Sequence, residues 1–378
     1  MNFELNEEQG QLRDSVARLL SDSYRFEQRR VIAGGEAGWS PSVWRRLGEL
    51  GVLGLRIPQD YGGFGGRTED AFAVAQEFGK ALLLEPYLAS AVLGATAIDA
   101  SGDAALRERL LPRIATGEIV VAWAHDETDA RHAPLWVETT ASQTGGGWRI
   151  AGHKINVLHA PAAGHFVVSA RTRGAASDAQ GLALFLVDAK ASGLTLRAHR
   201  LIDDTPAGEL RLDGVAAEPL GAPASTGAAM AATLDAGIAA VCADAVGAME
   251  AAYTLTTAYL KTRKQFGRLL GENQSLRHRV ADMMVSLECA RSMALLAAAA
   301  IDDPGSVEPG DLRRAKLVIG RHGRSLCQTA IQLHGGIGMT EEYAVGHYLR
   351  RITVMDQLFG DAHSHAAQLG KTLQVQHG

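Results

Sequence analysis

Cysteine is scarce, with only Cys242, Cys289 and Cys327 in 378 residues, an odd number set far apart. That pattern gives no disulfide framework and no zinc spacing, and it fits a reducing compartment. Strong charge is missing too. The formal net charge of -5 is mild for this length, so neither nucleic acid nor an anionic membrane surface is suggested. Met1, Asn2, Phe3 and Glu4 form an acidic start without an apolar leader core, and a cytoplasmic protein is expected. The 42 glycines include no phosphate-loop run ending in Gly-Lys-Ser. His153, His159 and His165 lack supporting cysteines or carboxylates, while His363 and His365, two apart on a helix, point to different sides, so no metal is expected. No Ser-His-Asp arrangement follows from spacing.

What is present is ordinary globular composition, 47% hydrophobic and 21% charged, on a chain long enough for two or three domains. Residues 1–118 read as helices. Leu5, Leu12, Val16, Leu19 and Leu20 recur at helical spacing behind an Asn6 cap. Trp39 to Leu53 gives a second helix, with Ser40 as cap and Pro41 in its first turn. The glycine-rich stretch Pro58 to Gly66 turns the chain or lines a cleft. Thr68 to Ala81, Tyr87 to Ala100 and Ala104 to Ala115 supply further helices. From about 119 the period shortens: Trp148, Ile150, Phe166, Val168 and the run Leu182 to Val187 read as strands. Glu209 to Val215 alternates and stops at a turn. A β domain over 119–225 therefore precedes a helical region over 226–378, with a Gly, Ala, Pro and Ser linker near 221–227.

The long helix from Thr226 to about Gln265 is alanine-rich. Asp235, Asp244 and Glu250 interrupt it, which argues for a bundle helix rather than a membrane span. At its end Arg263 and Phe266, three apart, can share a helix face and hold a phosphate beside a flat ring. Gln274 opens a helix reaching Asp302, with Leu276, Val280, Met283 and Leu287 on one stripe. The next helix carries Ile319, Leu326, Ala330 and Leu333 on one face and runs into Gln332, Leu333, His334, Gly335, Gly336, Ile337, Gly338. Paired glycines there either stop a helix or remove side chains where a ligand approaches.

Arg263-Lys264-Gln265-Phe266-Gly267, then Gln274, His278, Arg279, Ala281, Asp282 and Met283, then Gln332 to Gly338, together resemble motifs of the FAD-dependent acyl-CoA dehydrogenases. Leu53, Gly54, Leu55, Pro58, Tyr61, Gly62 and Gly63 match that family's N-terminal domain. The resemblance spans essentially the whole chain and is strongest to the small subunit of pimeloyl-CoA dehydrogenase type enzymes. It implies an α+β fold: an N-terminal helical domain, a middle β-barrel-like domain and a C-terminal four-helix bundle. It also implies FAD, with Arg263, Phe266, Gln274, Gln332, Gly335 and Gly336 donated to the pyrophosphate and adenosine of a flavin whose ring sits in a neighbouring subunit.

The family's ring-binding run, with its Pro and Gly, is here Ala124, His125, Asp126, Glu127, Thr128, Asp129, Ala130, Arg131. The segment that carries Trp, Ile and Thr or Ser is here Ile155, Asn156, Val157, Leu158, after Gly152 and Lys154. The family's two positions for the catalytic glutamate hold Phe359 and Gly237, with Ile238 beside the second. Phenylalanine cannot accept a proton, and Asp361 and Asp235 are only weak substitutes. The resemblance thus implies one subunit of a hetero-oligomeric acyl-CoA dehydrogenase, two copies of each chain. Its expected partners are a related subunit carrying the glutamate, an acyl-CoA and electron-transfer flavoprotein as acceptor. A non-enzymatic scaffold paralogue and a self-sufficient homotetramer with an atypical base are the alternatives.

Overall fold

The computed structural model of the chain describes residues 5–178, 180–222 and 225–377. The acidic start at Met1 to Glu4, and residues 223 and 224 of the expected linker, lie outside the described residues.

The helical opening is α1 (Glu7–Ser23), α2 (Phe26–Gly34), α3 (Pro41–Glu49), α4 (Thr68–Ala81), α5 (Ala95–Ser101) and α6 (Ala104–Ala115). Asn6 caps α1 reciprocally: its Oδ1 accepts from Gln9 N and Gln9 Oε1 accepts from Asn6 N, both at 2.8 Å. Ser40 and Pro41 start α3 as expected, but the helix ends at Glu49. Tyr87–Gly94 is a π-helix leading into α5, where one continuous α-helix was expected. The loop at Pro58 to Gly66 folds back on its own stem: Phe64 N, Gly65 N and Gly66 N donate to the carbonyls of Gly54, Ile57 and Leu55. It turns the chain, with these backbone donors satisfied within the loop and its stem.

The middle strands are β1 (Val121–Ala124), β2 (Thr140–Thr144), β3 (Gly147–Leu158), β4 (His165–Arg171), β5 (Leu182–Asp188), β6 (Leu194–Arg200) and β7 (Pro206–Pro219). Pairings run β4-β2-β3-β7-β5 and return from β5 to β4, closing a barrel, with β1 added to β4 and β6 to β7. Ile150, Phe166, Val168, Phe185, Leu210 and Val215 fill its core. Asp213 and Gly214 do not end a strand. They form an irregularity within β7, opposite the step from Ile150 to Gly152.

The rest is α7 (Thr226–Thr262), a two-strand hairpin β8 (Lys264–Gln265) and β9 (Arg268–Leu269), α8 (Gln274–Asp302), α9 (Asp311–His334), α10 (Val345–Gln357) and α11 (Ala362–His377). The fourth bundle helix is broken in two because Phe359 and Gly360 take left-handed φ values of 61° and 100°. Two compact units result: Met1–Arg29 with Thr68–Leu83 and Ile238–Gly378, and Arg30–Arg67 with Leu84–Gly237.

In the first unit the charges that interrupt α7 have partners. Asp244 takes both ends of the Arg351 guanidinium, at 2.9 and 2.6 Å. Glu250 bridges Lys80 at 3.0 Å and Arg291 at 2.8 Å. Small residues bring α4 and α7 into backbone contact: a Cβ on Gly79 would strike Asp244 O, and one on Gly247 would strike Gln76 O. α7 and α8 are both long and apolar enough to cross a membrane by length and composition. The apolar stretch of α7 is 72% buried, as a bundle core helix should be, whereas that of α8 is only 33% buried.

Candidate cofactor site

Arg263 does not share a helix face with Phe266. α7 ends at Thr262, and the chain enters the β8–β9 hairpin, where Leu270 N returns to Arg263 O at 2.9 Å. Phe266 sits at the hairpin tip with φ 50°, fully exposed, and Gly267 follows at φ 80°. The tight reversal, legible only as a lone glycine, holds the ring out from the helix end. Arg263 and Gln274 are exposed as well, Gln274 being the first residue of α8.

α9 stops at His334. Gly335 takes φ 67° and ψ -144°, a combination essentially restricted to glycine, and its N–H returns to Gln332 O. Gln332, Gly335 and Gly336 are exposed, and a Cβ on either glycine would meet nothing within 4 Å. Gly335 therefore stops the helix, while Gly336 leaves open backbone beside it. This corner and the Arg263 helix end meet through Tyr259, one turn before Arg263. Its ring lies 4.5 Å from that of His334, and its hydroxyl donates to His334 O at 3.5 Å. Sequence spacing did not single out Tyr259. Its place one helical turn ahead of Arg263 was the available signal.

The barrel segment matched to flavin-ring contacts is built differently. Lys154, fully buried on β3, donates to Glu127 at 2.7 Å, Ser169 Oγ at 3.0 Å and the His125 carbonyl at 3.1 Å. Glu127 also accepts from Thr139 Oγ1 at 2.6 Å and Thr139 N at 3.0 Å. Burial pushes the Lys154 ammonium down to about 8 against the pull of Glu127. Glu127 is held below the usual carboxylate range; burial opposes this, and Lys154 and the Thr139 bonds outweigh it. His125 bonds Ser169 Oγ at 2.8 Å, and burial, then the Lys154 charge, press its pKa down to about 3. Asp126, next in the chain, is exposed, and Asn156 is exposed at φ 50°. Leu158 is buried and apolar. At the matched positions this half presents the exposed Asp126 and Asn156 and the aliphatic Leu158, with no tryptophan among residues 152–158.

The two positions matched to a glutamate base carry none. Gly237 is buried within α7, and Ile238 beside it is also buried. Phe359 is half-buried in the turn between α10 and α11. Asp361 accepts from Ser364 N at 2.7 Å and so caps α11. Asp235 lies on the exposed side of α7. The Phe359 turn is clasped from below by Lys316 of α9, buried, whose Nζ donates to Asp356 O at 2.7 Å and Gly360 O at 3.1 Å. Lys316→Met is expected to strand both carbonyls and cost about 2–6 kcal/mol, at roughly 1–3 kcal/mol for each unsatisfied group. Urea unfolding measures it, and an unchanged midpoint would refute the clasp. His363 is exposed and His365 buried, as their spacing predicts, and no cluster able to hold a metal occurs among the described residues.

Comparison with known proteins gives the family. Residues 6–118 match the model of the acyl-CoA dehydrogenase N-terminal domain, 123–215 that of the middle domain and 226–374 that of the C-terminal domain. The chain is 30% identical to the probable acyl-CoA dehydrogenase YngJ of Bacillus subtilis over 364 residues, 94% of this chain and 95% of that protein. Among solved structures, a variant of the Tcur3481-Tcur3483 steroid ACAD is 30% identical with a TM-score of 0.88, covering 98% of both chains. The ChsE4-ChsE5 complex from Mycobacterium tuberculosis is 25% identical with a TM-score of 0.88, covering 99% of both. The chain belongs to the acyl-CoA dehydrogenase family, whose members are FAD-binding oxidoreductases. The corner and hairpin fit the dinucleotide part of FAD: a cation, an exposed aromatic and open glycine backbone. The barrel half, with Asp126, Asn156 and Leu158, does not fit the flavin ring in the same way.

Proposed function

We propose that this chain is one subunit of a hetero-oligomeric acyl-CoA dehydrogenase, of the pimeloyl-CoA small-subunit type, with two copies of each of two related chains. Arg263, Phe266, Gln274, Gln332, Gly335 and Gly336 are donated to the pyrophosphate and adenosine of FAD in the partner's site. The reading rests on one conjunction: the whole donated set is exposed, Phe266 completely, in a chain whose base positions hold Phe359 and Gly237. The uncovered apolar surface of α8, with Met284 and Val285 exposed, supports a second chain lying against this region. Arg263 would pair with pyrophosphate oxygens through its planar guanidinium, Phe266 would flank a ring, and the open backbone at Gly336 would admit close approach. FAD supplies hydride acceptance from the β-carbon of an acyl-CoA, while the α-proton goes to the partner's glutamate. Electron-transfer flavoprotein is the acceptor in this reading, the compartment is the cytoplasm, and the division into domains is 1–118, 119–225 and 226–378.

The test is purification of the chain alone and co-expressed with a related dehydrogenase subunit that carries the glutamate. Flavin absorbance and acyl-CoA oxidation are expected only from the pair. In the pair, Arg263→Ala should weaken flavin retention by about tenfold or more, since a hydrogen bond to a charged group contributes roughly 1.5–3 kcal/mol. Full loading and turnover by the lone chain would replace this reading with a homotetramer using Asp361 or Asp235. A stable, flavin-free pair would make the chain a scaffold.

A further inference from the structure

His334 is buried directly behind the Gln332 to Gly336 corner, and nothing above assigns it a task. Its Nδ1 lies 2.8 Å from Ala330 O. A carbonyl only accepts, so the proton is on Nδ1 and Nε2 is a bare lone pair. That Nε2 is buried and has no hydrogen-bond partner. The imidazole joins Tyr259 at 4.5 Å and Tyr343 at 5.1 Å, ring centre to ring centre, in a three-ring cluster whose two tyrosines are themselves 6.4 Å apart. Gly338 presses on its stem, since a Cβ there would come within 3.2 Å of His334 Cβ. Tyr259 in turn accepts the Arg263 N–H at 2.8 Å. One ring thus touches α7 one turn before Arg263, ends α9, and underlies the glycine corner.

We propose that His334 is a positioning residue: stacked on Tyr259, it sets the Arg263 helix end and the Gln332–Gly336 corner in register for one dinucleotide. The inference rests on the donated-site reading. It adds that the two motifs act as one rigid unit through a single ring contact, made here by an imidazole whose Nε2 is buried and bare.

The chemistry gives the joint a pH signature. Burial is the main cause holding His334 below its ordinary pKa, partly offset by the Ala330 carbonyl. The titratable groups facing it are Tyr259 from α7 and Tyr343 from the segment ahead of α10. No charged side chain of the described residues acts on it. A released ring takes up a proton near pH 6.5 and the seated ring refuses it until lower pH. The contribution of the joint is therefore whole at neutral pH and is lost as pH falls below about 6.5 and through the lowered value of the seated ring, by at most about tenfold in affinity per pH unit.

The experiment measures flavin dissociation constants of the two-chain complex, by flavin fluorescence, from pH 7.5 to 5.5. The wild-type complex should weaken three- to tenfold on acidification (about one pH unit below 6.5). His334→Phe, which keeps a ring but cannot titrate, should bind within about threefold of wild type at pH 7.5 and lose the acid dependence. His334→Ala and Tyr259→Ala should each weaken binding about tenfold, and the double variant by little more than either, since contacting residues do not add. Multiplicative effects of the two alanines, or an unchanged acid dependence in His334→Phe, would overturn the joint while leaving the donated site standing. A wild-type complex without flavin at any pH would overturn both. If His334→Ala does not fold, the His334→Phe profile and Tyr259→Ala still decide the matter.

Discussion

Gly247→Leu is expected to leave no folded chain, and Gly247→Ala to lose about 3 kcal/mol or more. Inserting methylenes into a packed core typically costs 1–3 kcal/mol because side chains can shift, roughly speaking. Here the obstacle is backbone. A Cβ on Gly247 would overlap Gln76 O, C and Cα of α4, and the reciprocal residue Gly79 faces Asp244 O and Ala248 N of α7. Neither helix can yield without parting the other from its partners, because Asp244 is fixed by Arg351 and Glu250 by Lys80 and Arg291. With about 5–15 kcal/mol of stability in a typical domain, a Leu at that crossing exceeds the margin. Thermal melts followed by circular dichroism provide the measurement. Gly10→Ala in α1 is the matched control: a Cβ there meets nothing within 4 Å, so it should be neutral or stabilising by about 0.5–1 kcal/mol. Equal melting temperatures for Gly10→Ala and Gly247→Ala would contradict the backbone crossing.

The second large effect is a loss of stability in acid that originates in the barrel. Folded His125 refuses a proton until about pH 3, while an unfolded His takes one near 6.5. Its contribution is present in full above about pH 6.5 and drains at about 1.4 kcal/mol per pH unit below it. Glu127 acts in the same direction lower down: its depressed carboxyl stabilises the fold above the ordinary carboxylate range and loses that contribution as pH falls through its lowered value. His125→Gln should flatten the upper part of the urea-unfolding profile between pH 6.5 and 4. Glu127→Ala should cost about 3–5 kcal/mol at neutral pH, because it leaves the Lys154 ammonium buried and unpaired. A wild-type profile that is level from pH 6.5 to 4 would count against the His125 assignment, and an undiminished stability of Glu127→Ala at neutral pH would count against the Glu127 pair.

How much of this was legible depends on the range of the cause. Local signals held well. Asn6 and Ser40 began helices where their side chains predicted, and α4, α6 and α8 match their expected bounds residue for residue. Alternation found β3, β4, β5 and β7, and the three-part layout followed. Nonlocal causes were less visible. The end of α7 at Thr262 was missed because Arg263 to Gly267 has helix-compatible side chains, and only the hairpin pairing to Leu269 shows the chain has turned. Asp213-Gly214 reads as a turn, yet β3 pairs with β7 on both sides of it, so it is a bulge and not the end of a strand. α2 was missed as well.

At the site, the choice of Arg263, Phe266, Gln274, Gln332, Gly335 and Gly336 as candidates came from motif order and position, while their exposure and the Tyr259–His334 joint needed coordinates. The buried Lys154–Glu127 pair was likewise hidden, since 27 residues separate partners that only barrel closure brings together. Asp361 could have been read as a helix cap from its place just before Ala362.

The clasped turn after α10 bears on how such a chain diverges. Lys316 grips it by two backbone carbonyls, and Asp361 anchors its far end as the cap of α11, so the turn's shape owes little to the side chain at 359. Any residue with a Cβ meets a similar strain at φ 61°, and the side chain at 359 is half-buried. Such a position is a socket: its backbone is held by groups other than its own side chain, so the group it displays can be exchanged without remaking the turn.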